Sequence, residues 1–168
     1  MGLAMLEGGK KFFAELNKIA KASEWLEVGF FPQSVYPNGI YVAQVANWQE
    51  YGTYTAPPRP FFRTCIQNNS SSYGLVFATY LKNHDYDIDM SFKYLGNKVK
   101  YDLQASIEDW STPPNAPITI EGGWMKNKKS GKVFYVEGKG FDDPLVTDPD
   151  KKGLLYQSVR WKYKDELA

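Results

Sequence analysis

Cysteine, histidine and long apolar runs are almost missing from this chain of 168 residues. The single cysteine, Cys65, allows neither an internal disulfide nor a cysteine-based zinc site, and a small buried residue is the expected role. The single histidine, His84, leaves a metal centre without a second imidazole. No stretch approaches the roughly 18 apolar residues of a membrane span, and the first residues lack the order of a signal peptide. Neither feature is therefore expected.

Net charge of either sign is also nearly absent, at +1. A chain so close to neutral does not attract polyanions as a whole, so we expect no membrane partner and no specific nucleic acid. Aromatic residues are abundant instead, at 16% of the chain, with 12 Tyr and 5 Trp. Such side chains suit surfaces that become buried in an assembly, and they also suit a tyrosine-rich core. Composition leaves both alternatives open.

Apolar residues recur at helical spacing in four segments: 4–22, 41–51, 59–83 and 88–110. Poor helix formers at 68–72, together with Gly74, predict a kink or break in the third helix. Asp89 is the predicted N-cap of the fourth helix. Strands are predicted at 25–31, 118–120, 133–137 and 155–163, the last from its alternation of apolar and polar residues.

These segments predict an α+β fold with three to four helices packed on a small antiparallel sheet. Long charged loops are expected in the C-terminal third, including a mobile charged loop at about 138–153. At this length residues 1–168 fit one domain.

No enzyme motif is complete in the sequence. His84 lies beside aspartates, as an acid/base or metal site would require, but this stretch connects two predicted helices. Asp85, Asp87 and Asp89 begin like a calcium-binding loop, yet Met90 occupies the position that should be glycine. We therefore predict no catalytic residue, no metal and no cofactor.

A basic stretch at 126–132 offers candidate phosphate contacts: Lys126, Lys128, Lys129 and Lys132. It lacks the upstream glycine that a phosphate-binding loop requires. A solvated hairpin turn is one interpretation. The alternative is a small nucleic-acid-binding module in which Trp124 and Tyr135 stack on bases.

Residues 47–63 form the most specific segment of the sequence. A helix ends at Gly52, and two prolines flank Arg59, which fixes the direction in which its side chain leaves the backbone. Arg59 and Arg63 lie at the positive end of the next helix, so an acidic partner is expected, either Glu50 or a neighbouring subunit. The predicted assembly interface comprises Trp48, Glu50, Tyr51, Gly52, Pro58, Arg59, Pro60, Phe61 and Arg63.

We expect Arg59 to act in assembly, and the alternative is a structural role. If it contacts a neighbouring subunit, replacing it by alanine should weaken assembly and leave the fold largely intact. If it is a buried residue that binds backbone carbonyls and holds the loop, the same change should lower the melting temperature sharply.

The same segment resembles the tail-completion and head–tail joining proteins of tailed bacteriophages, a family related to the lambdoid minor tail protein Z and to virion morphogenesis. The family pattern is an apolar helix ending in Asn/Glu-aromatic-Gly-Thr, a short loop, and Pro-x-Arg-Pro-Phe. Here it is represented by 50–53 and 58–63. The stretches 28–43, 117–120 and 143–159 resemble further parts of the family. A compact Asp-Thr-Gly turn of the family is replaced by the longer, charged 147–153.

The resemblance implies a non-enzymatic structural protein of the virion tail or neck, made in the cytoplasm of the host bacterium. It implies an oligomeric ring, such as a hexamer, that acts in tail completion or head–tail joining. The implied partners are further copies of the chain, the tail tube or tail terminator protein, and the head connector or adaptor proteins.

Overall fold

The computed structural model describes residues 9–14, 17, 25–138, 145 and 153–168, and the statements below concern these residues. The fold is α+β. Its helices are α1 (Val42–Tyr51), α2 (Phe61–Asn83), α3 (Ile88–Glu108), α4 (Pro117–Ile120) and α5 (Leu154–Gln157). Its strands are β1 (Leu26–Phe30), β2 (Gly122–Lys126), β3 (Val133–Glu137), β4 (Val159–Tyr163) and β5 (Glu166–Leu167).

The predicted N-terminal helix is described only in part. Residues 9–14 are helical, and Phe12 packs edge-on against Tyr86. Most of the remainder of 4–22 lies outside the described residues, as does most of the predicted loop at 138–153. No helix in the described part of the chain is both long and apolar enough to cross a membrane.

The strands form two separate antiparallel sheets. β4 lies between β1 and β5 in a three-stranded sheet, with Leu26 opposite Tyr163 and Phe30 opposite Val159. β2 and β3 form a two-stranded hairpin that packs against α4. The main sheet therefore joins strands from opposite ends of the chain, which holds the helices between them in one unit.

α3 is the central element of the core. Its Phe92 ring lies 4.9 Å from Phe77 of α2 and stacks at 4.8 Å on Tyr163 of β4, so α3 contacts α2 and the sheet at once. The core cluster comprises Val42, Ala46, Phe61, Cys65, Leu103, Ile107, Leu145, Leu155 and Val159. The expectation that Cys65 is buried is confirmed.

Two side-chain hydrogen bonds and one glycine fix α3 against β4. The Trp161 indole donates to Asn97 Oδ1 at 2.9 Å, and the Tyr163 hydroxyl donates to Asp89 Oδ1 at 2.7 Å. Gly96 lies directly under the indole, since a Cβ there would come within 2.8 Å of Trp161 and 3.1 Å of Leu26. The helix can approach the sheet this closely only because residue 96 has no side chain.

Replacing Gly96 by alanine is expected to destabilise the protein by about 1–2 kcal/mol, because overpacking of the indole outweighs the gain in helix propensity. Gly74 is a matched control, because a Cβ on it would meet nothing within 4 Å. Gly74→Ala should stabilise by about 0.5–1 kcal/mol. Urea unfolding measures the change in the free energy of unfolding for both variants. Changes of the same sign would contradict the close packing at Gly96.

The structure corrects three local predictions, which concern α2, the N-cap of α3 and the segment 118–120. α2 is continuous through 68–72 and Gly74, because its packing along α3 outweighs weak helix propensity. Asp87, not Asp89, caps α3, and its side chain accepts from the Met90 N–H at 2.9 Å. The predicted strand at 118–120 is instead the short helix α4, which begins with a proline at its first position.

The last predicted strand is correct only in its second half. Residues 154–157 form the helical turn α5, and the Ser158 N–H bonds to the Leu154 carbonyl at 3.0 Å. Val159 to Tyr163 forms the strand, with alternate residues buried as the pattern predicts. The strand predictions at 25–31 and 133–137 are confirmed.

Asp89 should contribute a stability that depends on pH. Hydrogen bonds from Lys164 and Tyr163 lower the pKa of its carboxyl. Since the pKa is lower in the folded state, this stability is present above the unfolded pKa of about 3.9 and is lost as pH falls through the folded pKa. Asp89 is exposed, so the effect should be below about 1 kcal/mol. Asp89→Asn should remove it, as measured by unfolding free energies at pH 7 and at pH 2–4; an unchanged pH slope would contradict it.

Candidate assembly interface

Within the predicted interface, α1 ends at Gly52. This residue has a φ of 77°, and a Cβ there would come within 2.9 Å of the Ala56 carbonyl and the Pro58 nitrogen. The following Thr53 hydroxyl accepts from the N–H groups of Thr55 at 3.3 Å and Ala56 at 3.0 Å. Residues 52–60, which we call the proline loop, therefore start at a position that requires glycine and continue in a turn held by the Thr53 hydroxyl.

Glu50 satisfies the start of α2 from a different helix. α2 has no side-chain cap of its own at Pro60. Instead, Glu50 at the end of α1 accepts from the Phe62 N–H at 2.9 Å and from the Arg63 N–H at 3.2 Å. A carboxylate is well suited to this position because the helix N-terminus presents free N–H groups and a positive dipole end.

Arg63 completes this arrangement from the solvent side. Its Nε lies 2.8 Å from Glu50 Oε1, and its guanidinium lies 5.0 Å from the centre of the Tyr51 ring. The Arg63 side chain is 58% exposed, whereas that of Glu50 is 8% exposed. The predicted acidic partner is confirmed for Arg63, where it is Glu50, and is wrong for Arg59, which donates to Gln49 and to two backbone carbonyls.

Arg59 is buried, with 7% of its surface exposed. Its Nε donates to the Pro113 carbonyl at 3.0 Å, one terminal nitrogen donates to the Pro114 carbonyl at 3.0 Å, and the other donates to Gln49 Oε1 at 2.9 Å. Burial lowers the pKa of the guanidinium, which still remains protonated at neutral pH. Arg59 thus joins the end of α1, the proline loop and the segment that follows α3.

These contacts correct the predicted interface. Glu50, Arg59 and Phe61 are buried inside the chain, so they support the surface rather than form it. Gly52 and Pro60 are half-buried. The candidates that are exposed to a partner are Trp48, Tyr51, Pro58 and Arg63.

Comparison of the chain with protein-family models, curated proteins and solved structures gives no match.

Exposed aromatic side chains surround the proline loop. Trp48 is 40% exposed, Tyr51 is 64% exposed, and Tyr54, which sequence analysis did not select, is fully exposed. The position of Tyr54 between Gly52 and the prolines could have indicated that it is exposed. A shallow, mainly apolar groove of about 220 Å³ lies beside them, with Phe30 and Phe62 among its lining residues. An aromatic surface next to an apolar groove is typical of protein contacts.

Across the rest of the chain, the abundant tyrosines also lie mostly outside the core. Tyr163 alone of the twelve is fully buried. The exposed ones are Tyr41, Tyr51, Tyr54, Tyr94, Tyr101 and Tyr135. The other five tyrosines are partly buried, and two of them, Tyr36 and Tyr156, pack against the core cluster, so the tyrosines divide between surface and core.

The four candidate phosphate-binding lysines meet at the end of the β2–β3 hairpin, where all are exposed. The Asn127 side chain accepts from the N–H groups of Lys129 at 2.9 Å and Ser130 at 3.0 Å, so the turn is held by its own hydrogen bonds. Trp124 and Tyr135 form a cross-strand pair with ring centres 5.3 Å apart. The structure therefore places the lysines and both aromatic residues on one hairpin.

His84 and its aspartates serve local structure. The His84 ring stacks on Tyr80 at 3.8 Å, and its Nδ1 lies 2.9 Å from the Tyr80 carbonyl. Asp87 is the helix cap described above, and Asp89 binds Tyr163 and Lys164 of the sheet. Within the described ranges, no group of three His, Cys, Asp or Glu residues is arranged to hold a metal ion.

Proposed function

We propose that this protein is a non-enzymatic assembly subunit of tailed bacteriophages, acting in tail completion or head–tail joining as part of an oligomeric ring. Its partners would be further copies of the chain, the tail tube or terminator protein, and the head connector. Its place would be the tail or neck of the virion.

The observation that carries this proposal is a set of exposed aromatic residues at the end of α1 and in the proline loop. Trp48, Tyr51 and Tyr54 lie within seven residues, next to Gly52 at its positive φ and close in sequence to the hydrogen-bonded Arg59. Tryptophan and tyrosine on a rigid support are common among the residues that dominate binding energy at protein interfaces. The same residues lie within the segment that resembles the phage family, which supplies the type of assembly.

The proposal is tested by sedimentation velocity and negative-stain electron microscopy of the full chain, alone and mixed with purified tails. We expect ring-sized oligomers, or decoration of one tail end. Tyr51→Ser with Tyr54→Ser should weaken this assembly at least about tenfold, since each is an exposed aromatic at the proposed contact. The variant should keep the wild-type melting temperature within a few degrees, because both side chains are exposed.

A matched control is Tyr41→Ser, which removes a tyrosine that is 52% exposed at the start of α1. It should assemble like the wild type. A chain that stays monomeric at all concentrations and binds neither tails nor connectors would refute the proposed function.

A further inference from the structure

The β2–β3 hairpin presents an uncovered face. In its register Trp124 pairs with Tyr135, and Lys126 pairs with Val133, so these four side chains share one side. Trp124 is 72% exposed, Tyr135 57% and Val133 54%. On the other side Gly123 lies against Ile118 of α4, while the next pair, Met125 and Phe134, is 42% and 41% exposed. A two-stranded hairpin with one open apolar face is only marginally stable by itself in water, so a covering partner would stabilise it.

The end of this hairpin is strongly basic. We call residues 126–132 the lysine turn; it contains four lysines and no acidic residue. Hydrogen bonds between Asn127 and Lys132, and between Gly131 and Asn127, close the turn at 2.8 and 2.9 Å. Four exposed positive charges in a fixed turn favour an acidic partner surface.

An acidic surface of matching character lies on the same chain, between α2 and α3. A pocket of about 360 Å³, the acidic pocket, has Asp102 and Asp109 among its lining residues and no lysine or arginine. Asp102 Oδ1 accepts from the Lys98 ammonium and its Oδ2 is buried, so Asp109 supplies the exposed carboxylate of the pocket. The indole nitrogen of Trp110, also in the lining, is buried without an acceptor in the described part of the chain.

The rim of the acidic pocket offers apolar contact. Ala105 lines the pocket and is exposed, and Tyr101, one turn earlier on α3, is 64% exposed. A small residue beside an exposed tyrosine can receive a planar aromatic side chain. The acidic pocket and its rim therefore complement the hairpin in charge and in shape. The hairpin carries lysines in its turn and aromatic residues on the adjoining strands.

We propose that the lysine turn of one copy docks at the acidic pocket of a second copy, with Trp124 and Tyr135 packing on Tyr101 and Ala105. This inference rests on the proposed function, since it adds a second contact between neighbouring subunits to the one made by the aromatic residues. The two surfaces differ, so the contact is heterologous, and repeated copies close into a ring where the rotation permits. A net charge of +1 gives the chain little overall attraction for a polyanion, which favours a second copy over nucleic acid as the partner.

Charge reversal tests the pairing directly. Lys128→Glu with Lys129→Glu should weaken self-association at least about tenfold, and Asp109→Lys should do the same, because each places like charges in contact. Combining all three changes should restore association to within a few-fold of wild type. Asp109 is exposed at the C-terminus of α3, where lysine suits the helix dipole, so the fold is preserved.

The control is Lys162→Glu, an exposed lysine on β4 away from both surfaces, which should associate like the wild type. Association is measured by sedimentation velocity over a concentration series, with melting temperatures recorded for every variant. Failure of the triple variant to recover would refute the docking, as would unchanged association of the reversed variants.

The outcomes also separate this inference from the proposed function. A wild-type chain that assembles while the reversed variants assemble equally well refutes only the docking. A wild-type chain that assembles neither alone nor with tails refutes both. Binding of a single-stranded 20-nucleotide DNA at low salt that is lost in the lysine variant, with association unchanged, would assign the hairpin to nucleic acid instead.

Discussion

Arg59→Ala is expected to lower the free energy of unfolding by about 3–5 kcal/mol. The change removes three hydrogen bonds and leaves the carbonyls of Pro113 and Pro114 without their donor. Both of these hydrogen bonds are part-buried, so water replaces the lost charged donor only incompletely. In a chain of this size the melting temperature should fall by roughly 10 °C.

Differential scanning calorimetry and urea unfolding measure this effect. Arg63→Ala is the matched control, because the Arg63 side chain is 58% exposed and should contribute less than about 1 kcal/mol. A melting temperature of Arg59→Ala within 2 °C of the wild type would contradict a structural role. Self-association of the molecules that remain folded should be unchanged, since Arg59 is buried.

Glu50→Gln is expected to destabilise the protein by about 2–3 kcal/mol. The carboxylate of Glu50 accepts from two N–H groups at the start of α2 as well as from the Arg63 side chain. Glutamine keeps the shape of the side chain but loses the charge, and its amide cannot accept at both positions. Hydrogen exchange at the Phe62 and Arg63 amides should become faster.

Comparison with Arg63→Ala separates the two roles of Glu50. If Glu50 acts mainly as a helix cap, Glu50→Gln should cost clearly more than Arg63→Ala in urea unfolding. Equal losses would mean that the ion pair, rather than the cap, accounts for the stability.

The sequence predicted those elements in which a periodic pattern of apolar residues continues over many positions. α3 is set by apolar residues at steps of three and four, and it forms over Ile88–Glu108, close to its predicted range. Short apolar runs were ambiguous. The run at 118–120 fits a strand or a helical turn, and the proline that precedes it favoured the helix.

The roles of the interface residues could be predicted only where both partners lie near each other in sequence. Glu50 and Arg63 are thirteen positions apart, and their pairing follows from two consecutive helix ends. Arg59 is different, because its acceptor at Pro113 lies 54 positions away and is a backbone carbonyl that any residue would supply. The sequence therefore favoured an interface role for Arg59, and the acceptors that indicate a structural role came into view only with the fold.

Glu50 lies on one helix and completes another, and this has a consequence for how the protein folds. The first turn of α2 lacks a cap until α1 is in place, and the orientation of α1 is held through Gln49, which binds Arg59. The two helices are therefore a single cooperative unit. If the proline loop unfolds locally, the end of α1 and the start of α2 should unfold with it. The surface formed by Trp48, Tyr51 and Tyr54 should then be lost as a whole.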